Sequence, residues 1–153
     1  MARFSVFNQV LIVCVGNICR SPTAEHLLRQ AVQDCNIVVG SAGLAALVDQ
    51  PIEQHALATL SQHGQQPASH RARQLTPKIL QDADLVLVME RNHLRDINQQ
   101  SPQSRGKTFL LGKWQHDREI PDPYRQGEAA FEHAYALIDE AVATWSRYLR
   151  TTR

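Results

Sequence analysis

Residues 10–15, Val-Leu-Ile-Val-Cys-Val, form an unbroken apolar run, mostly β-branched, closed by Gly16-Asn17. A run this short and continuous suits a strand buried on both faces, as in a parallel sheet covered by helices. Directly after it, Ser21-Pro22 offers a helix N-cap and the proline favoured in a first turn, and Ala24, Leu27, Leu28, Ala31 and Val32 then recur at helical spacing. The chain therefore opens as strand, tight loop and helix.

The same pattern continues downstream. Residues 37–39 and 84–89 read as second and third strands, 108–111 as a fourth, and 54–63 as a helix ending at Gly64. Thr76-Pro77 opens a short helix, and Phe131, Ala134, Tyr135, Ile138, Ala141, Val142, Trp145 and Leu149 mark one stripe of a last, long helix. Long connections are expected at 44–51, 98–106 and 112–126. Buried strands alternating with amphipathic helices imply right-handed βαβ crossovers. The expected fold is α/β: one domain over residues 1–153, a three-layer sandwich whose four-stranded parallel sheet carries helices on both faces.

Charge narrows the partners. Sixteen basic against fifteen acidic side chains leave a formal +1, without the basic excess that non-specific nucleic-acid binding requires. The apolar run at 10–15 is too short to insert in a membrane, and residues 1–9 lack the plan of a signal peptide, so a cytoplasmic location is expected. Three cysteines, an odd number, fit reduced thiols better than a disulfide framework.

In such folds ligands bind beyond the carboxyl ends of the strands, which directs attention to Cys14-Val15-Gly16-Asn17-Ile18-Cys19-Arg20-Ser21. If this loop curls so that its N–H groups converge, it forms an anion nest reinforced by the positive end of the following helix. Cys14 then lies at its floor, where those dipoles and a nearby guanidinium favour thiolate over thiol. Arg20 bridges two phosphoryl oxygens with a planar fork that lysine cannot reproduce. Gly16 and Asn17 suit unusual backbone angles. A thiolate attacking phosphorus needs a proton donor for the departing oxygen, and Asp122, between prolines in Ile-Pro-Asp-Pro-Tyr, is the candidate. Alone, a strand-end cysteine fits an inert buried thiol and Asp-Pro a plain turn; the loop between Cys14 and Arg20 is what tips the reading toward phosphate chemistry.

The string CVGNICRSPTAE at 14–25, joined to the downstream Asp-Pro-Tyr at 122–124, resembles the low-molecular-weight protein tyrosine phosphatases, whose signature is a C-x5-R-S loop near the N-terminus. The similarity extends over Ser41-Ala-Gly, residues 70–74, 89–96 and 120–125. It implies the phosphotyrosine phosphatase I type of fold, Cys14 as nucleophile, Arg20 as phosphate ligand and Asp122 as the acid that later activates water. Substrate contacts follow by the same resemblance: Val15, Gly16, Asn17, Ile18, Cys19 and Ser21 line the loop, Ser21 stabilises the leaving thiolate, and Tyr124 and Leu47 wall the cleft. Ser41 and His70 support Asn17 by hydrogen bonds.

Where some eukaryotic members carry a second tyrosine this chain has Arg125, and the facing wall holds Leu47 and Val48 instead of an aromatic ring. That combination resembles a Gram-negative branch associated with exopolysaccharide and capsule export, whose partner is an autophosphorylating membrane tyrosine kinase. Cys19 resembles a redox guard of the nucleophile, and a plain loop-packing role stays open beside it. No cofactor is expected, and no metal, since Cys14 and Cys19 lack further ligands to complete a site.

Three neighbouring readings are weighed against this one. Arsenate reductases share fold and loop but use cysteines well downstream, whereas this chain has none after Cys35. Protein-arginine phosphatases carry threonine where Ile18 stands. A non-catalytic phosphotyrosine-binding module has no use for both Cys14 and Asp122.

Overall fold

The computed structural model describes residues 6–151. Four strands, β1 (Gln9–Cys14), β2 (Val38–Gly43), β3 (Leu85–Val88) and β4 (Thr108–Leu110), form one sheet in the order β2-β1-β3-β4. Every neighbouring pair is parallel. Five helices connect or follow them: α1 (Arg20–Ala31), α2 (Gln54–Gln62), α3 (Pro77–Asp82), α4 (Arg91–Gln100) and α5 (Glu128–Thr151).

The period of two along each central strand sorts its side chains into two cores. Val10, Ile12 and Cys14 of β1, with Leu85 and Leu87 of β3, meet the apolar stripes of α1, α2 and α5. Leu11 and Val13, with Val86 and Val88, face the opposite layer, where Leu80 of α3 and Ile97 of α4 close the core. All of these side chains are buried. The three-layer arrangement expected from the continuous apolar runs is thus the one observed.

Several local expectations need correction. Helix α1 starts at Arg20 with Cys19 in the N-cap position, and no side chain caps it. Ser21 therefore lies inside the first turn, where its hydroxyl is drawn into a buried polar network. The segment expected as a loop at 98–106 is instead the end of α4 followed by a 3-10 turn, Pro102–Lys107. Helix α4 escapes a hydropathy reading because it buries little besides Ile97 and the polar His93. Strand β2 runs on through Gly40, Ser41 and Gly43, residues with little strand preference. Gly43 is required there: a Cβ would come within 2.5 Å of the Val15 carbonyl oxygen.

The chain reverses its direction of winding between β2 and β3, which lie on opposite sides of β1. Crevices form at such points beyond the strands' carboxyl ends. Cys14, last residue of β1, sits at the mouth of this one.

Candidate active site

The loop joining β1 to α1 turns its carbonyls outward. Cys14 O accepts from Leu44 N at 2.9 Å, Val15 O from Ala45 N at 2.9 Å, and Gly16 O from Leu47 N at 3.1 Å. Asn17 O accepts from His70 Nε2 at 2.6 Å, Ile18 O from Glu53 N at 2.9 Å, and Cys19 O from Thr23 Oγ1 at 2.8 Å. In a trans peptide the N–H points opposite the carbonyl. With the carbonyls of 14–19 engaged outside, the amides of 15–20 turn toward the interior of the loop, directly before the uncapped N-terminus of α1. Such a ring of backbone amides can cradle an anion.

Asn17 locks the curl. It is fully buried at φ 59°, a left-handed conformation that asparagine tolerates better than most residues. Its Nδ2 donates to Ser21 Oγ at 2.8 Å and Ser41 Oγ at 2.9 Å, and its Oδ1 accepts from Arg73 N at 2.9 Å. Ser41 in turn donates to the Glu25 carboxylate of α1. Gly16 is not in the left-handed region, contrary to the sequence reading. A Cβ there would meet only Ile18 and Leu47 at ordinary distances, 3.7 Å or more.

Cys14 Sγ lies 2.9 Å from Ser21 Oγ, a hydrogen bond in which either group can donate, at the cradle floor. Cys14, Cys19 and Cys35 are free thiols. Burial pushes the Cys19 thiol far above its ordinary range, with the Cys14, Glu53 and Asp122 charges adding to the shift and Arg20 opposing it. Cys19 therefore stays protonated at neutral pH and is a poor nucleophile.

Arg20, 2% exposed, spends both protons of Nη1 on the protein: one on Glu90 Oε2 at 2.7 Å, one on the Ile120 carbonyl at 2.7 Å. That leaves its Nε and Nη2 edge for a ligand, the geometry of a bidentate clamp. Nη2 lies 3.8 Å from Asp122 Oδ2. Asp122 Oδ1 accepts from Tyr124 N at 3.0 Å, so the turn between the two prolines orients the carboxyl.

These groups share a cleft of about 190 Å³, lined by Cys14, Val15, Gly16, Ile18, Cys19, Arg20, Ala45, Leu47, Asp122 and Tyr124. A second cavity beneath the loop, against Phe131 and Tyr135, has only about 10 Å³, room for one water at most. Of the sequence candidates, Asn17, Ser21, Ser41 and His70 stand behind the cradle and the rest line the cleft. Leu47 and Tyr124 are 46% and 36% exposed, and the Arg125 guanidinium lies 5.2 Å from the centre of the Tyr124 ring. Sequence reading gave no role to Glu90, His93, Glu25, Ala45 or Arg73. Glu25, Arg73, Glu90 and His93 had only their membership of longer matching segments as a signal, and Ala45 only its place in the expected connection 44–51.

Residues 9–153 match the model of a family described as low molecular weight phosphotyrosine protein phosphatase. The chain belongs to this family. The phosphatase is 42% identical over 144 residues to the low molecular weight protein-tyrosine-phosphatase Wzb of Salmonella typhimurium, covering 94% of this chain and 95% of that protein. Among solved structures it is similar to Vibrio vulnificus Wzb in complex with benzylphosphonate: TM-score 0.89 and 44% identity, over 94% of this chain and 99% of the other. It also resembles, at 31% identity and TM-score 0.88, the YwlE arginine phosphatase from Geobacillus stearothermophilus, over 94% of this chain and 93% of that one. The phosphatase is a protein-tyrosine phosphatase of the low-molecular-weight family, similar to Wzb. Among the described residues no helix is long and apolar enough to cross a membrane.

Proposed function

We propose that this phosphatase cleaves phosphotyrosine through a cysteinyl-phosphate intermediate. In the first step the Cys14 thiolate attacks phosphorus, an S–P bond forms as the P–O bond to the ring breaks, and Asp122 gives its proton to the departing phenolate oxygen. In the second, the Asp122 carboxylate takes a proton from water, whose oxygen attacks phosphorus and releases inorganic phosphate. Ser21 donates to the sulfur as it regains its charge. The cradle amides and the free edge of Arg20 hold the non-bridging oxygens throughout, supplying positive charge where it is needed in both transition states.

The carrying observation is the outward engagement of six successive carbonyls, which fixes an inward ring of amides around one sulfur. Activity on aryl phosphates of graded leaving-group acidity tests the scheme. Asp122→Asn is expected to slow the least acidic phenols most; an equal loss across the series would remove Asp122 from the acid role.

The partner is a cytoplasmic phosphotyrosine segment, in the fullest reading the tail of an autophosphorylated membrane tyrosine kinase of exopolysaccharide or capsule production. Similarity to proteins named Wzb supports this, as does the rim of Leu47, Val48 and Arg125, which are exposed or lie beside Tyr124 and suit a chain laid across the cleft. Ile18 on the cleft wall, with the higher identity to Wzb than to the arginine phosphatase, favours the aryl ester. Pull-down with Cys14→Ser from the native cell, followed by identification of the captured phosphotyrosine peptide, tests the partner.

A further inference from the structure

The back edge of Arg20 rests on a carboxylate that has itself little to rest on. Glu90 follows β3 and occupies the N-cap position of α4, yet its side chain caps nothing. That task falls to Glu119, whose Oε2 accepts from Arg91 N at 2.8 Å. The Glu90 carboxylate turns instead toward Arg20, 2.7 Å away, and keeps 30% of its side chain exposed.

One helical turn along α4 stands His93, 1% exposed. Its Nε2 lies 3.4 Å from the same Glu90 Oε2, and neither ring nitrogen has a hydrogen-bond partner among the described residues. An imidazole buried with both nitrogens unpaired costs free energy that a leucine of similar size would avoid. Three residues beyond the N-cap, His93 stands where its ring meets the Glu90 carboxylate directly. A shift of a few tenths of an ångström brings Nε2–H and Oε2 to ordinary hydrogen-bond length, leaving the other lone pairs of the carboxylate for Arg20.

We propose that His93 is a positioning residue of the phosphatase: through Nε2–H it holds the Glu90 carboxylate where it anchors Nη1 of Arg20, so that the opposite edge of the guanidinium faces the phosphate. The proposal rests on Arg20 being the phosphate clamp. Burial, first, and then the Arg20 charge push the imidazole below its ordinary value, against the opposing pull of Glu90, Asp96 and Glu119. His93 is thus neutral at neutral pH, with a single N–H to give and a carboxylate in front of it.

The test compares His93→Gln, whose terminal amide reaches the Nε2 position, with His93→Asn, whose amide reaches only Nδ1. Both are polar and no larger than histidine. Each is made alone and with Glu90→Gln, and KM, kcat and competitive inhibition by inorganic phosphate are measured on an aryl phosphate. Loss of one anchoring hydrogen bond behind a charged ligand predicts that His93→Asn raises KM and the phosphate inhibition constant together, roughly five- to tenfold, with kcat changed much less. His93→Gln restores most of that loss. With Glu90→Gln already present, His93→Asn adds less than about twofold, because the two residues act in one chain.

Equal phosphate inhibition constants for the Asn and Gln variants, or an undiminished effect of His93→Asn beside Glu90→Gln, overturn the proposal. Arg20→Lys, measured alongside, separates the layers. If it leaves phosphate affinity intact, the clamp reading itself falls. If it abolishes that affinity while the two His93 variants behave alike, only the role of His93 fails.

Discussion

The two regions that meet over the cleft are built on opposite plans. The cradle of residues 14–21 has its carbonyls tied to residues 44–47, Glu53, His70 and Thr23 of α1, and Asn17 alone makes three side-chain hydrogen bonds from a fully buried position. The loop carrying Asp122 is anchored at buried Ile120, whose N–H donates to Met89 O and whose carbonyl accepts from Arg20. Beyond that anchor, Asp122 keeps half its side chain in solvent, lies 3.8 Å from Arg20 Nη2 and, among the described residues, hydrogen-bonds only within its own turn. On the proposed mechanism the phosphate receptor is thus held in shape by the protein's own hydrogen bonds, so little of the binding energy goes into ordering it. Asp122, the proposed proton donor, and the cleft walls Leu47 and Tyr124 remain solvent-exposed. Charge stabilisation tolerates little displacement, whereas a carboxyl that gives and takes protons needs only to come within reach.

This contrast can be broken in graded steps. Arg20→Lys should have the largest effect, a loss on the order of 10³-fold in kcat/KM, because a point charge cannot replace a bidentate fork held from behind. Steady-state kinetics on an aryl phosphate measure it, and a loss below about tenfold would mean the backbone cradle does the work alone. Asp122→Asn should cost on the order of 10²-fold on phenyl phosphate and progressively less as the leaving group becomes more acidic.

Asn17→Ala strikes the locking bonds and leaves Ser41 and the Arg73 amide short of partners. The expected cost is about 3 kcal/mol, a fall in Tm of roughly 6–12 °C for a domain of this size. A thermal scan that found no shift would show the cradle to be held by its outer carbonyl bonds alone. Leu47→Ala, on the exposed wall, should change KM by no more than about fivefold and leave Tm within about 2 °C, since close to half of its surface already stays in water.

A pH series sharpens the same comparison. His93, behind the cradle, is held below its ordinary value of 6.5 in the folded protein. The unfolded chain therefore binds the extra proton more readily, and the contribution of His93 to stability is complete above about 6.5 and lost as pH falls below it. Denaturant midpoints of the wild type should fall on acidification from pH 7 to 5, and His93→Asn should flatten that fall. Parallel curves for the two proteins would contradict it.

Sequence patterning reached the strands, the helix after β1, and the pairing of Cys14 with Arg20, because each of these is written in local spacing. It misplaced the start of α1, since Ser21 is a good cap in isolation and is claimed here by Asn17 and Cys14. It passed over α4 and hence Glu90 and His93. Their importance arises from sheet order: β3 pairs with β1, and that neighbourhood alone carries residue 90 to residue 20. Likewise Gly43 looks like a strand breaker until the Val15 carbonyl is set against it. What stayed illegible are contacts made by tertiary assembly, which no local spacing encodes.

The sulfur at the cradle floor is best tested by acid-quenching Asp122→Ala during turnover of an aryl phosphate whose phenol is acidic enough to leave unprotonated, so that only the second step is slowed, and mapping phosphorylated peptides by mass spectrometry. With its water-activating carboxylate gone, the enzyme should accumulate a phosphoryl group on the peptide carrying Cys14, absent when Cys14→Ser is added. Continued turnover with no phosphopeptide, or with the phosphoryl group on any other residue, would contradict a covalent role for Cys14.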